Sequence, residues 1–210
     1  MYSLLTIGAL AASMLVSPMA ATAASPPAER ITIDVLTVNG SGCPAGTAAV
    51  APSADNTAFT VTYSDYLAQI GVGAKPTDFR KNCQLAIRVN VPQGFTFAIA
   101  QADYRGFASL AAGATGLERA NYYFQATSPT AYVNHTFSGP FSDDWQTTDS
   151  TPVASLVYAP CGEQRNLNIN TELRVAAGTS DTSATTSFMT MDSVDGSVRT
   201  IYHLAWKECA

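Results

Sequence analysis

Apolar and polar residues alternate along much of this chain, and that alternation constrains its fold more than any other feature. The clearest stretch sets Leu85, Ile87, Val89 and Val91 against Gln84, Ala86, Arg88 and Asn90. Similar alternation runs through residues 31–35, 59–63, 95–99 and 166–175. Successive side chains of a strand point to opposite faces of a sheet, so this pattern builds sheets with one buried face. We therefore predict an all-β fold, an antiparallel β-sandwich of about ten short strands, with a partly closed β-barrel as the alternative.

Turn and helix signals punctuate this pattern. Three stretches predict loops because they are rich in turn-forming or hydroxyl residues: 111–116, 143–152 and 178–187. Asp195-Gly196 predicts a hairpin turn. The one helix signal covers residues 64–70, where Ser64 is a suitable cap and Gly71 a suitable end.

The amino terminus predicts secretion. Residues 4–16 form an apolar run that is short for a membrane span, and the small residues of Ala21-Thr22-Ala23 follow it. We expect residues 1–23 to be a signal peptide and residues 24–30, which include two prolines, to be a flexible lead-in. With no later change in composition, residues 31–210 are expected to form a single β-sandwich domain, with no membrane span once the signal is cleaved.

Four cysteines predict two disulfide bonds, since an even number of cysteines in a secreted chain is typical of a disulfide framework. Sequential pairing closes the shorter loops, which favours Cys43–Cys83 and Cys161–Cys209. Zinc is disfavoured because the spacing contains no C-x-x-C pair. We expect neither a metal nor a cofactor.

The charge of the chain argues against polyanionic partners. The formal net charge is −5, with 11 basic residues scattered among 16 acidic ones. Proteins that bind phosphate backbones cluster their lysines and arginines, so neither a nucleic acid nor an anionic membrane surface is an expected partner.

Six short motifs, in order, resemble a family of secreted proteins catalogued as domain of unknown function 4360. They are GSGCP at 40–44, RKNCQL at 80–85, DYRG at 103–106, FSGP at 137–140, PCG at 160–162 and LAWKEC at 204–209. The resemblance covers nearly the whole mature chain. It implies secretion, four structural cysteines and an uncharacterised role, and it supplies no catalytic residues.

Clustered aromatic residues are the most suggestive feature for function. Tyr104, Tyr123 and Trp145, together with Arg105, are the predicted ligand-binding residues, because exposed rings stack on sugars or anchor proteins. The competing interpretation places most of these rings in the core. The leading hypothesis is a non-catalytic module that binds a cell-wall or other extracellular glycan, or a protein surface.

Two other function classes stay open. A small polysaccharide hydrolase would use paired carboxylates, drawn from Asp143, Asp144 and Asp149 with Asp103 or Glu118 as the partner. A protease inhibitor or interaction protein would present the disulfide-anchored segment 44–58. No G-x-S-x-G motif is present, and we assign no catalytic residue.

Two sequons are possible glycosylation sites, at Asn39 and Asn134. The second contains His135, one of two histidines in the chain; the other, His203, is expected to be a packed or edge residue.

Overall fold

The computed structural model describes residues 24–191 and 199–209, and they form two antiparallel sheets packed face to face. In chain order the strands are β1 (Thr32–Asn39), β2 (Ala48–Pro52), β3 (Ala58–Tyr63), β4 (Leu67–Gly71), β5 (Arg80–Asn90), β6 (Phe95–Leu110), β7 (Thr115–Phe124), β8 (Val133–Ser138), β9 (Phe141–Ser150), β10 (Leu167–Ala176), β11 (Thr186–Thr190) and β12 (Thr200–Glu208). A 3-10 turn at Val153–Ser155 is the single helical element among the described residues. The predicted all-β sandwich is confirmed, and within the described chain neither sheet closes into a barrel.

Each sheet has a simple strand order. The five-stranded sheet runs β1-β5-β10-β7-β8. The seven-stranded sheet runs β2-β3-β12-β6-β11-β4, and β9 pairs with the other side of β6. Sequential hairpins are few, so distant segments of the chain meet side by side.

The core lies between the two sheets and is largely aromatic and aliphatic. Phe97 of the seven-stranded sheet meets Phe124 of the five-stranded sheet edge to face, with ring centroids 5.3 Å apart. The Tyr66 and Thr171 hydroxyls, 3.0 Å apart, make a hydrogen bond across the same space. Burying these inward faces is the main driving force of the fold, at about 25 cal/mol for each Å² of apolar surface.

A bulge in β6 changes which residues of that strand face inward. Its register against β12 shifts at Ala100, which has no paired residue on β12. Before the bulge, Phe97 and Ile99 are buried, whereas beyond it Ala102 and Tyr104 are buried. The extra residue moves the large inward-facing side chains from odd to even numbers, although Thr96 and Ala98 before the bulge are also buried.

Two of the local predictions are wrong. Residues 64–70 hold no helix: β4 occupies Leu67–Gly71 and pairs with β11, because this segment completes the edge of the seven-stranded sheet. Residues 143–152 are mostly strand, because β9 satisfies its backbone hydrogen bonds along ten residues of β6.

The structure also bears on the predictions for the cysteines and for the residues before β1. Both predicted disulfides are confirmed, Cys43–Cys83 and Cys161–Cys209. Residues 24–30 contact the body of the protein, since Asn56 Nδ2 donates hydrogen bonds to the carbonyls of Pro27 and Glu29. The predicted signal peptide and the Asp195-Gly196 turn lie outside the described residues. Among those described, no helix is long and apolar enough to cross a membrane.

Candidate functional site

Two of the four predicted ligand-binding residues are buried between the sheets. The Tyr104 and Trp145 side chains face inward from β6 and β9 and are 0% and 3% exposed. Trp145 packs on Phe137 of β8, with ring centroids 5.4 Å apart. Neither ring can stack on a ligand in this conformation, so the prediction that they present an exposed surface is wrong.

The other two predicted residues lie on opposite sides of the molecule. Arg105 alternates with the buried Tyr104 and therefore points outward from the seven-stranded sheet. Tyr123 points outward from the five-stranded sheet, where its cross-strand partner is Asn168. The structure does not bring Arg105 and Tyr123 together: Arg105 lies opposite Gln146 and next to the Phe107–Phe188 ring pair, whereas Tyr123 lies among amides.

Tyr123 belongs to an outward surface made of side-chain amides, which we call the amide face. Its members are Asn39 on β1, Gln84 on β5, Asn168 and Asn170 on β10, and Asn121 and Tyr123 on β7. Cross-strand pairing places Asn39 opposite Gln84, Gln84 opposite Asn170, and Asn170 opposite Asn121. Adjacent strands are about 4.8 Å apart, so this row carries amides at that interval across four strands.

Hydrogen bonds hold part of the row in place. Asn170 Nδ2 donates to Asn121 Oδ1 at 3.0 Å, and Asn121 Nδ2 donates to the Thr130 carbonyl at 3.1 Å. Asn121 is also buried, whereas Asn170 is half-buried and both Gln84 and Asn39 are exposed. The row thus combines a fixed end with freely accessible amides.

A cluster of arginines borders the amide face. Arg80, Arg119 and Arg174 all donate to the carboxylate of Glu172, at 2.7, 3.0 and 2.8 Å. Burial raises the pKa of Glu172, but the hydrogen bonds from Arg80 and Arg119 outweigh it and leave the pKa below its ordinary value. Three positive charges against one negative charge give this border a local excess of positive charge.

A small groove adjoins Tyr123 where β7 meets the segment before β10. Its volume is about 60 Å³. The lining includes Tyr123, Thr127, Ser128, Thr130 and Ser155. Ile99, Phe124, Val157 and Leu167 also line it, so Tyr123 borders a mostly apolar groove as well as the row of amides.

The candidate carboxylates divide between an interior cluster and the surface. Glu118 on β7 is 0% exposed and lies opposite His135 on β8. His135 Nε2 donates a hydrogen bond to Asp149 Oδ1 at 2.6 Å, which joins β8 to β9. Burial and the nearby Asp149 charge raise the pKa of Glu118 well above its ordinary value. Asp143 and Asp144 are exposed on β9, away from this cluster.

Asp103 makes a separate site on the outer face of the seven-stranded sheet. Its carboxylate accepts hydrogen bonds from Thr148 Oγ1 at 2.7 Å and from His203 Nε2 at 2.8 Å. Burial raises the pKa of Asp103, but these two hydrogen bonds and one from Gln101 hold it below its ordinary value. A carboxylate held ionised in this way is a poor general acid.

Metal ligation finds no support in the part of the chain that the structure describes. No three side chains of the His, Cys, Asp and Glu types there are grouped to hold a metal ion. Segment 44–58, considered as an inhibitory loop, contains β2 and the start of β3, and only its turns are free of strand pairing.

A family model described as domain of unknown function (DUF4360) matches residues 29–209, almost all of the described chain. The chain belongs to this family. An uncharacterized secreted protein of Arthroderma benhamiae (strain ATCC MYA-4681 / CBS 112371) is 37% identical over 185 residues, which is 88% of this chain and 74% of that protein. The protein is secreted, as its sequence predicted.

One solved structure is also similar over much of the chain. It is the enzymatically active domain of tailspike protein 4 from bacteriophage CBA120, with a TM-score of 0.28 and 13% sequence identity. The match covers 82% of this chain and 19% of the tailspike chain. A likeness at this level carries no argument about function.

Most of the amide face was not predicted as a site, although its sequence signal is simple. The polar residues at the outward positions of β5 and β10 are asparagine, glutamine, arginine and the single carboxylate Glu172, with no lysine among them. The sequons share this surface, because Asn39 on β1 and Asn134 on β8 both point outward from the edges of the five-stranded sheet.

Proposed function

We propose that this secreted protein is a non-catalytic module that binds an extracellular glycan through the amide face and Tyr123. The observation that carries the proposal is the chemistry of the outward positions of β5, β10 and β7. They supply planar groups, namely amides, guanidiniums and one phenol ring, and their one carboxylate, Glu172, is held by three arginines.

Such a surface suits sugars for two physical reasons. A side-chain amide offers a donor and an acceptor side by side, which matches the paired hydroxyls of a sugar ring. Planar groups that are already hydrogen-bonded, such as Asn170, also lose little conformational entropy when a ligand binds. Tyr123 adds a ring for stacking against the apolar face of a sugar.

Retention on insoluble polysaccharides tests the proposal. We expect the mature protein to be retained by at least one of chitin, cellulose, β-glucan and peptidoglycan. Tyr123→Ala and Gln84→Ala should each weaken retention about fivefold to tenfold, the loss expected for one stacking or hydrogen-bonding contact. Gln146→Ala is the matched control, because Gln146 is an exposed amide on β9 of the opposite sheet.

Unchanged retention of both variants would contradict the amide face as the binding surface. Absence of retention on all four polymers would contradict glycan binding itself and favour a protein partner, the interaction-protein alternative.

A hydrolase is the second candidate function, favoured by the raised pKa of Glu118 beside Asp149. A general acid needs such a shift, although Glu118 is 0% exposed and a substrate would have to open the β8–β9 edge. The retention assay distinguishes the two functions if released sugars are measured in the supernatant. Release that is lost in both Glu118→Gln and Asp149→Asn would place the hydrolase first.

A further inference from the structure

A second cavity, separate from the amide face, opens at one end of the sandwich. We call it the end pocket, and its volume is about 280 Å³. One wall is the Pro92-Gln93-Gly94 turn that joins β5 to β6. The other wall is segment 159–165, which leads into β10.

Covalent and backbone bonds fix these two walls to each other. The Cys161–Cys209 disulfide joins the second wall to the end of β12, and Cys209 N donates to the Gly94 carbonyl in the first wall at 2.8 Å. Ala159 N also donates to the Phe97 carbonyl at 3.0 Å. Because the fold holds the cavity open, binding of a ligand would carry no free-energy cost for ordering the cavity walls.

The lining of the end pocket is more polar than apolar. Val89, Val91 and Phe95 contribute apolar surface, whereas the Gln93 and Gln164 side chains add amides. Glu163 and Arg165 form an ion pair with each other at the rim, so the pocket has no net charge to offer a charged ligand. Polar groups make up at least as much of this lining as apolar ones, which suits a ligand that is itself rich in hydroxyl groups.

Size limits the ligand to one ring. Pockets for drug-sized molecules occupy roughly 300–1,000 Å³, and this cavity lies just below that range. We propose that the end pocket binds a single pyranose ring of a neutral saccharide, with an apolar face of the ring on Phe95 and the ring hydroxyls on Gln164 and Glu163. This site is independent of the amide face, and either could exist without the other.

Amide chemical shifts test the proposal. The ¹⁵N-labelled mature protein would be titrated separately with glucose, N-acetylglucosamine, mannose and galactose. We expect saturable shift changes at Gly94, Gly162 and Gln164 with at least one of these sugars. Gln164→Ala and Glu163→Ala should raise the dissociation constant about fivefold to tenfold, as for loss of one hydrogen bond. Gln146→Ala is again the matched control and should leave it unchanged.

Three outcomes would overturn the proposal. They are the absence of saturable shifts with all four sugars, shifts centred on Tyr123 and Gln84, and equal affinity in the wild type and both pocket variants. Tighter binding of glucuronate or glucosamine than of glucose would contradict a neutral ligand. Since Glu163 and Gln164 are exposed, loss of folding is not expected to obscure these results, and near-ultraviolet circular dichroism checks that.

Discussion

At the scale of single residues, Glu118 is the buried group whose charge matters most. Thr147 Oγ1 approaches its Oε2 at 3.5 Å, while its Oε1 has no hydrogen-bond partner among the described residues. Burial and the Asp149 charge raise the pKa of Glu118 well above the ordinary value of 4.5. As pH rises through that value, the unfolded chain loses this proton first, so the free energy of unfolding falls until the folded pKa is passed.

Glu118→Gln removes that loss and should stabilise the protein. An amide of nearly the same shape stays neutral, so the variant should have a higher free energy of unfolding than the wild type at about pH 7. The gain should disappear near pH 4, where the carboxyl is protonated in both states. Urea unfolding at the two pH values measures it, with Glu208→Gln, an exposed carboxyl, as control. Destabilisation at pH 7 would mean that a charged Glu118 has a stabilising partner.

At the scale of strands, the bulge in β6 explains why Tyr104, a predicted ligand-binding residue, is buried. Alternation from Phe95 through Ile99 puts odd-numbered residues inside, and continuing that pattern would turn Tyr104 outward. The unpaired Ala100 reverses the pattern, so Tyr104 is buried instead. A bulge has no reliable sequence signal, because the extra residue is ordinary and only its pairing marks it.

Strand β9 was predicted as a loop because its inward positions are partly polar. Its inward positions include Thr147 and Asp149, which contact the polar cluster around Glu118, so the usual apolar alternation is missing. The central strands β5 and β10, by contrast, face a largely apolar core and follow the pattern at every inward position except Lys81 and Thr171. Sequence therefore predicts the sandwich and both disulfides, but not the strand that packs its polar residues inward.

The close packing of β9 on β6 depends on Gly106. A Cβ atom there would meet the Thr190 carbonyl oxygen, which is backbone, and the Trp145 ring at 2.6 and 2.7 Å. Gly106→Ala should therefore lower the free energy of unfolding by about 1–3 kcal/mol. Thermal unfolding should show this as a loss of about 2–4 °C for each kcal/mol.

Gly116→Ala is the comparison for that variant. Its added Cβ would meet the flexible end of the Met189 side chain, which can move, so its loss should be smaller. Equal losses in the two variants would show that β9 can shift away from β6 without cost.

At the scale of the whole molecule, the two disulfides make comparable loops but lie in different surroundings. They close 40 and 48 residues, so the unfolded-chain entropy assigns each about 4 kcal/mol. Cys43 and Cys83 are buried in the core at 0% and 1% exposure, whereas Cys161 is exposed. Burial, rather than loop length, should therefore distinguish the effects of removing them.

Replacing each pair by alanine separates these contributions. Cys43→Ala with Cys83→Ala should lose the entropic term and also leave a cavity in the core, whereas Cys161→Ala with Cys209→Ala should lose mainly the entropic term. We expect the first pair to be less stable in guanidinium unfolding by about 1–2 kcal/mol, the cost of deleting two buried sulfur atoms. The second pair should remain folded but bind sugars more weakly at the end pocket, because segment 159–165 is then held only by hydrogen bonds, from Ala159 N to the Phe97 carbonyl and from Thr96 Oγ1 to the Ala159 carbonyl. Equal stability of the two pairs would mean that the core closes around the missing sulfur atoms. Unchanged pocket affinity would mean that the remaining hydrogen bonds suffice to hold the pocket wall.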